Sequence, residues 1–197
     1  MAKLLYQGHG SFRLTSDGGE VMFIDPYAGG GYEIPADAAL VTHAHADHNR
    51  LELIVKKPGC AVITQDEALA GGKHNSFTVG GFEIEAVEAG NNKGHSIDDS
   101  VGYIVRVDGL GLYFCGDTST TSQMSKFAPL KLDYAFLCAD GIYNMDLSEA
   151  AECARLIGAK RNVPVHLKPG KLFDREMAER FEGPDKFIIE AGAEIVL

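Results

Sequence analysis

Hydrophobic and polar positions along the first third of the chain alternate in short runs. "SFRLT" and "EVMFID" are β-prone segments split by "SDGG", and Asp-Gly-Gly between such runs predicts a hairpin. "AALVTH" is a short apolar run that stops at a histidine, and "CAVIT" is a buried-type strand. "QDEALAGG" reads as a short helix with a glycine stop. Strands return in "SFTVGGFEIEAVEA", in "SVGYIVRVDGLGLYFCGD" with its turn at "DGLG", and in "LDYAFLCAD". In "MDLSEAAECARLIGA", Leu147, Ala150, Ala151, Ala154 and Ile157 recur at helical spacing, and Asp146 with Glu149 forms a capping-box pattern. "NVPVHL" then predicts a strand, "DREMAERFEG" a helix, and "KFIIEAGAEIVL" closing strands. Sheets lead and helices punctuate, with no repeat and no Pro-rich linker. The prediction is one α/β, sandwich-like domain over residues 1–197.

Composition narrows the function classes. A chain of 197 residues buries roughly 70% of its unfolded surface, enough for a core without staples. The net charge of -10 argues against broad contact with a phosphate backbone, though not against a small basic pocket. None of the 4 cysteines, Cys60, Cys115, Cys138 and Cys153, sits in a C-x-x-C pair, so buried reduced thiols are expected. "MAKLLYQGHG" lacks a signal-peptide pattern, and no apolar run approaches the ~18 residues of a membrane span. The expectation is a soluble cytoplasmic protein.

One stretch stands apart from this ordinary background. "THAHADHN" places His43, His45, Asp47 and His48 within six residues. Repulsion and desolvation make three packed imidazoles and a carboxylate unfavourable unless a cation lies between them. The segment lacks β-branched residues and fits a turn from a strand end into a helix start, where side chains can converge on one point. Imidazole with carboxylate suits zinc, manganese or iron. Distant partners lie at strand boundaries: His95 before "VGYIV", Asp117 after "LYFC", and His166 at the end of "VPVH". Each alone could be ordinary, Asp117 as a cap and His166 as a core histidine. His74, in the polar stretch "GGKHNS", reads as an isolated surface residue.

The order H-x-H-x-D-H, a later His, "GDT" and a final His resembles the metallo-β-lactamase superfamily, from "GHGSF" to "VPVHL". "GHGSFRL", "MFIDPY", "GDTSTTSQM" and "DGIYNMDLSEAAECARLIGAKRNVPVH" resemble its UlaG-like branch of ascorbate-6-phosphate lactonases and small metal-dependent hydrolases. The resemblance implies a four-layer αβ/βα sandwich with one or two divalent ions per chain, zinc or manganese foremost and iron also compatible. It implies His43, His45 and His95 at a first metal, Asp47, His48 and His166 at a second, and Asp117 bridging them. Asp47 and Asp117 would then be the catalytic carboxylates. Asp25, in "FIDP", would support a ligand histidine from outside, and His9 and Tyr143 would lie near the site or contact substrate.

The implied reaction is hydrolysis of a small ester, lactone or phosphoester by a metal-bridged hydroxide. Lys168, Lys171 and Arg13 are candidate anchors for a phosphorylated substrate. The chain departs from the branch at Asn49, at Cys138–Asp140 and after His166, so the substrate is not carried over. Rival readings are a phosphodiesterase or nuclease of the same fold, an iron oxidoreductase and a non-catalytic metal-binding protein. A small-molecule substrate is the expected partner, no membrane is expected, and homo-oligomerisation is left open.

Overall fold

The hairpin signal at "SDGG" is realised by β2 (Ser11–Thr15) and β3 (Val21–Ile24), paired antiparallel. The computed structural model describes residues 1–197. Ahead of that hairpin the chain adds β1 (Lys3–Gly8), which pairs with β2 on one side and the closing strand on the other. β4 (Ala36–Leu40) and β5 (Lys56–Ile63) extend the sheet in parallel. The short helix α1 (Gln65–Ala68) follows, capped by Thr64.

The second sheet begins with the hairpin β6 (Ser76–Val79) and β7 (Phe82–Glu88). β8 (Val101–Val107), β9 (Leu110–Phe114) and β10 (Tyr134–Cys138) come next. Helix α2 (Leu147–Ile157) crosses to β11 (Arg161–Val165), and α3 (Arg175–Arg180) leads to β12 (Glu194–Val196). The strand orders are β12-β1-β2-β3-β4-β5 and β11-β10-β9-β8-β7-β6.

The interior between the sheets is built from alternate strand positions: Tyr6, Phe12, Leu14, Met22, Ile84, Tyr103, Phe114 and Phe136 are all buried there. Phe12 lies at its centre, with the rings of Tyr6, Phe114 and Phe136 at 4.7–5.2 Å. Outside the second sheet, Ala150, Ala151, Ala154 and Ile157 press one face of α2 onto a second apolar cluster with Ala135 and Leu137. Outside the first sheet the cover is thinner, a small cluster around Phe23, Tyr32 and Ile54 under loops and the 3-10 turn Leu51–Leu53. No helix is long and apolar enough to cross a membrane.

Three expectations are revised. Asp146 caps α2 by accepting the Glu149 N–H, but Glu149 does not return the bond; its carboxylate takes the Thr120 N–H and hydroxyl instead. The box is half formed because Thr120, just beyond Asp117, offers two donors. The closing segment yields only β12. Phe187, Ile188 and Ile189 instead pack their side chains against the two cores from an irregular segment. "THAHADHN" is a series of bends and a turn, with no helix start; a single 3-10 turn follows at Leu51–Leu53.

Candidate metal centre

Strand direction gathers the polar residues on one edge of the sandwich. In the first sheet β1, β3 and β4 run the same way, and in the second β7, β9, β10 and β11 do. His9 follows β1, Asp25 follows β3, and His43 to His48 follow β4. His95 lies in the loop after β7, Asp117 follows β9, Asp140 follows β10, and His166 follows β11. All of them therefore leave the carboxyl ends of strands, where α/β sheets commonly build sites. Two cross-sheet bonds close this edge: Val101 N–H to Thr42 O at 2.9 Å and His166 N–H to His9 O at 2.9 Å. His9, Asp25 and His166 adopt left-handed backbone, with φ of 59°, 46° and 46°. Such strain is uncommon away from glycine and concentrates at functional sites.

His43, His48, His95 and His166 share one arrangement, with Nδ1 facing an outer acceptor and Nε2 turned inward. His48 Nδ1 donates to Asp25 Oδ2 at 2.8 Å. The same carboxylate accepts the Thr42 hydroxyl at 2.7 Å, which leaves Thr42 Oγ1 to accept from His43 Nδ1 at 3.0 Å. Asp25 thus orients two rings, one of them through Thr42. His95 Nδ1 donates to Asn92 Oδ1 at 2.9 Å. His166 Nδ1 lies 3.0 Å from Asp140 Oδ2, short of good hydrogen-bond alignment. An acceptor on the outer nitrogen fixes the tautomer and makes the inner nitrogen a better ligand. His45 is exposed and faces His95 Nε2 through Nδ1 at 3.1 Å.

Asp117 lies between the rings. Its Oδ2 is 3.4 Å from His95 Nε2, and its Oδ1 is 3.3 Å from His48 Nε2 and 3.4 Å from His166 Nε2. Burial alone would raise its pKa, yet His48 and His166 outweigh burial and hold it well below the usual carboxylate range. Burial likewise opposes protonation of His48, but Asp117 and Asp25 prevail and raise it well above an ordinary histidine. His43 has too little such support: burial, then repulsion from His48, lowers it to about 2. Asp47 is half-exposed at the rim and is held low chiefly by its hydrogen bond with His9.

Inner atoms without partners test whether these residues suit a cation. His43 Nε2, His48 Nε2, His166 Nε2 and Asp117 Oδ1 are buried and make no hydrogen bond. Each such atom costs about 1–3 kcal/mol if left unpaired. All can offer a lone pair, His48 once it gives up its Nε2 proton, and they face one another. His43, His45 and His95 bring ligand atoms within 4.8 Å of one another, as do His43, His48 and Asp117, and His9, Asp47, His48 and His166. The residues present fit divalent cations. Six of the 7 histidines take part, and His74 stands outside these groups.

Residues 3–166 match the family model of the Beta-lactamase superfamily domain, a span that ends on His166. The chain belongs to the metallo-β-lactamase superfamily. Among its superfamily relatives, the UPF0173 metal-dependent hydrolase of Thermococcus kodakarensis is 30% identical over the full length of both chains. A protein of Parabacteroides distasonis solved as a candidate metal-dependent hydrolase superposes with a TM-score of 0.76 at 29% identity, covering 95% of this chain and 92% of that one. Igni18, a metallo hydrolase of Ignicoccus hospitalis, reaches a TM-score of 0.75 at 22% identity, covering 98% and 97%, and shows the shared fold.

The seven residues from His43 to His166 that the family resemblance implies as ligands meet in this one cluster of the superfamily's fold, and Asp25 stands behind two of them, bonded to His48 directly and to His43 through Thr42. Tyr143 is 59% exposed and reaches the cluster only through its backbone N–H, which donates to Asp140 Oδ1 at 2.7 Å. Arg13 is occupied elsewhere, by Glu194 at 2.7 Å and the Gly31 carbonyl at 3.0 Å, and leaves the list of anchors. Lys168 and Lys171 are exposed on the loop after His166, Lys171 with its ammonium 3.7 Å from Asp174 Oδ2.

Sequence reasoning missed four supports: Thr42, Asn92, Asp140 and Gly10. Asp140 was visible only as a departure from the branch. Its Oδ1 accepts the N–H groups of Ile142, Tyr143 and Asn144, so the whole loop is wound around it. A Cβ on Gly10 would lie 2.9 Å from His48 Cε1, so only glycine lets that ring seat. The repeated glycines of "GHG" were the one available signal.

Proposed function

We propose that this protein is a metal-dependent hydrolase of the UlaG-like branch, acting on a small ester, lactone or phosphoester. Two divalent cations, zinc or manganese, would be held by His43, His45 and His95 on one side and by Asp47, His48 and His166 on the other. The observation that carries this reading is Asp117, which turns one carboxylate oxygen to His95 and the other to His48 and His166. Such cations supply Lewis acidity and lower the pKa of bound water from 15.7 toward ~7.

The protein's own groups do the rest. Asp25, Thr42, Asn92 and Asp140 hold the rings with their inner nitrogens free. Asp47, half-exposed and kept ionised, is placed to orient an incoming water and accept a hydrogen bond from it. Lys168 and Lys171 offer positive charge beside His166 for an anionic substrate, and Tyr143 borders the Asp140 loop as a substrate contact.

The test is a panel of lactones, phosphomonoesters, phosphodiesters and thioesters, assayed on protein loaded with zinc, manganese or iron. Turnover is expected on a lactone or phosphoester and is abolished in Asp117→Ala. Wild-type rates in a metal-replete Asp117→Ala protein would refute the bridging role. Metal uptake without turnover on any substrate would favour the non-catalytic binder, and turnover confined to phosphodiesters would favour the nuclease-type reading.

A further inference from the structure

We propose that His9 is an additional metal ligand, completing the position formed by Asp47, His48 and His166. The inference rests on the metal-hydrolase reading above and assigns a residue to it that lies outside the H-x-H-x-D-H, His, Asp and His set.

Four observations converge. First, His9 is wired like the other rings. Its Nδ1 lies 3.2 Å from the Lys171 carbonyl, which only accepts, so Nδ1 carries the proton. Its Nε2 is thereby directed inward.

Second, that Nε2 faces another acceptor, Asp47 Oδ2, at 3.1 Å. A lone pair and a carboxylate at this distance need a positive species between them. A divalent cation can fill that place with the same two atoms as ligands. The ligand atoms of His9, Asp47, His48 and His166 all lie within 4.8 Å of one another, compatible with zinc–nitrogen bonds of about 2.0–2.1 Å after small adjustments.

Third, the rings of His9 and His166 approach to 3.7 Å between centroids at a tilt of 40°, and both Nε2 atoms face the same Asp47 Oδ2, at 3.1 and 3.9 Å. Two imidazoles so close cannot both be protonated without repulsion, whereas a cation shared between their lone pairs is attractive.

Fourth, the backbone is locked for this purpose. His9 is held in a left-handed conformation by three bonds: its N–H to Leu172 O at 2.6 Å, and its carbonyl accepting from His166 N–H at 2.9 Å and Tyr6 OH at 2.9 Å. His9 and His166 are therefore set by one shared peptide contact. The ring is fully buried, so it has no solvent-facing role to perform.

The alternative is that His9 only donates a hydrogen bond to Asp47. Glutamine separates the two, because its amide can donate to Asp47 but ligates poorly. The full-length chain is titrated with cobalt(II) and zinc against a competing chelator, as wild type, His9→Gln and His9→Ala, with melting of each metal-free protein as a folding control. The expected result is that both variants keep the first equivalent and weaken the second roughly 100-fold or more, beyond the 10–100-fold that losing an outer hydrogen-bond partner costs. The visible cobalt bands of the second equivalent should also change in intensity as a ligand is lost. Wild-type affinity and bands in His9→Gln would overturn the proposal.

A second measurement avoids any folding defect in the variants. Wild-type protein labelled with 15N in its histidine rings is loaded with zinc. His9 Nε2 is expected to lose its attached proton and become metal-shifted, while Nδ1 keeps its proton. Persistence of the Nε2–H signal after two zinc ions are bound overturns the proposal and leaves the hydrolase reading standing. If the wild type takes up no metal at all, the hydrolase reading itself fails, and this one with it.

Discussion

Replacing Asp25 by Asn should weaken both metal positions at once. The carboxylate is 2% exposed and makes three bonds: Oδ1 accepts the Thr42 N–H at 2.7 Å, and Oδ2 accepts the Thr42 hydroxyl at 2.7 Å and His48 Nδ1 at 2.8 Å. In the variant, the Thr42 N–H pins the amide oxygen where Oδ1 was. The NH2 group must then face Thr42 Oγ1 and His48 Nδ1, and it donates where the carboxylate accepted. His48 answers by moving its proton to Nε2. The Thr42 hydroxyl, no longer able to donate to residue 25, turns its proton to His43 Nδ1, 3.0 Å away, and His43 also becomes Nε2-protonated.

Both inner nitrogens are then blocked, although nothing has moved. The backbone at this position has φ of 46°, which asparagine tolerates well, so folding should survive. Loss of an outer partner typically costs 10–100-fold in metal affinity, about 1.4–2.7 kcal/mol, and here it applies at each of two positions. Zinc competition with a chromophoric chelator reads the two constants, and melting of the metal-free protein checks the fold. Unchanged constants for both equivalents would refute the tautomer argument. Weakening of the second equivalent alone would refute the link through Thr42.

Metal uptake should be proton-coupled. His48 is held protonated above the ordinary histidine range by Asp117 and Asp25 against the effect of burial, so at neutral pH a cation must displace that proton. Affinity should rise with pH and level off once pH passes the raised pKa, whereas His43, lowered to about 2, contributes no proton. Calorimetry at pH 7 in two buffers of different ionisation enthalpy should give about one proton or more released per chain; zero release would contradict the pairing. Gly10→Ala should place a methyl 2.9 Å from His48 Cε1, and swinging that ring away would break the bond that its adjoining Nδ1 makes to Asp25 at 2.8 Å. The second metal equivalent should weaken by about 10-fold or more with the fold retained; a Gly10→Ala protein with wild-type metal constants would show that the ring has room.

Much of the site was legible because its chemistry is written locally. H-x-H-x-D-H is unreasonable without a cation, and that follows from charge and hydration before any fold is known. Strand periodicity in "SFRLT", "FEIEAVEA" and "VGYIVRV" likewise needs only the alternation of side chains along an extended chain. The failures lie where a long-range partner outbid a local preference. Glu149 was set to complete a capping box, but Thr120, 29 residues away, offers its carboxylate two donors. "FII" near the end of the chain has strand composition, yet β1 is joined there only by Glu194–Val196. Arg13 looked like a free cation near the site until Glu194, 181 residues on, was seen to hold it.

The sequence by itself therefore determined the kind of chemistry, a dense set of nitrogen and oxygen ligands, and the two-layered β framework that carries it. Tertiary structure decided which atom of each ring faces inward and which residues stand behind it. It also brought His9 into the cluster, since only the shared direction of β1 and β11 sets that residue against His166. The physical reason is range. Ligand type and strand period are properties of neighbouring residues, whereas a tautomer is set by whatever acceptor lies beyond the ring. Those acceptors, Asp25, Asn92, Asp140 and the Lys171 carbonyl, mostly arrive from other strand ends.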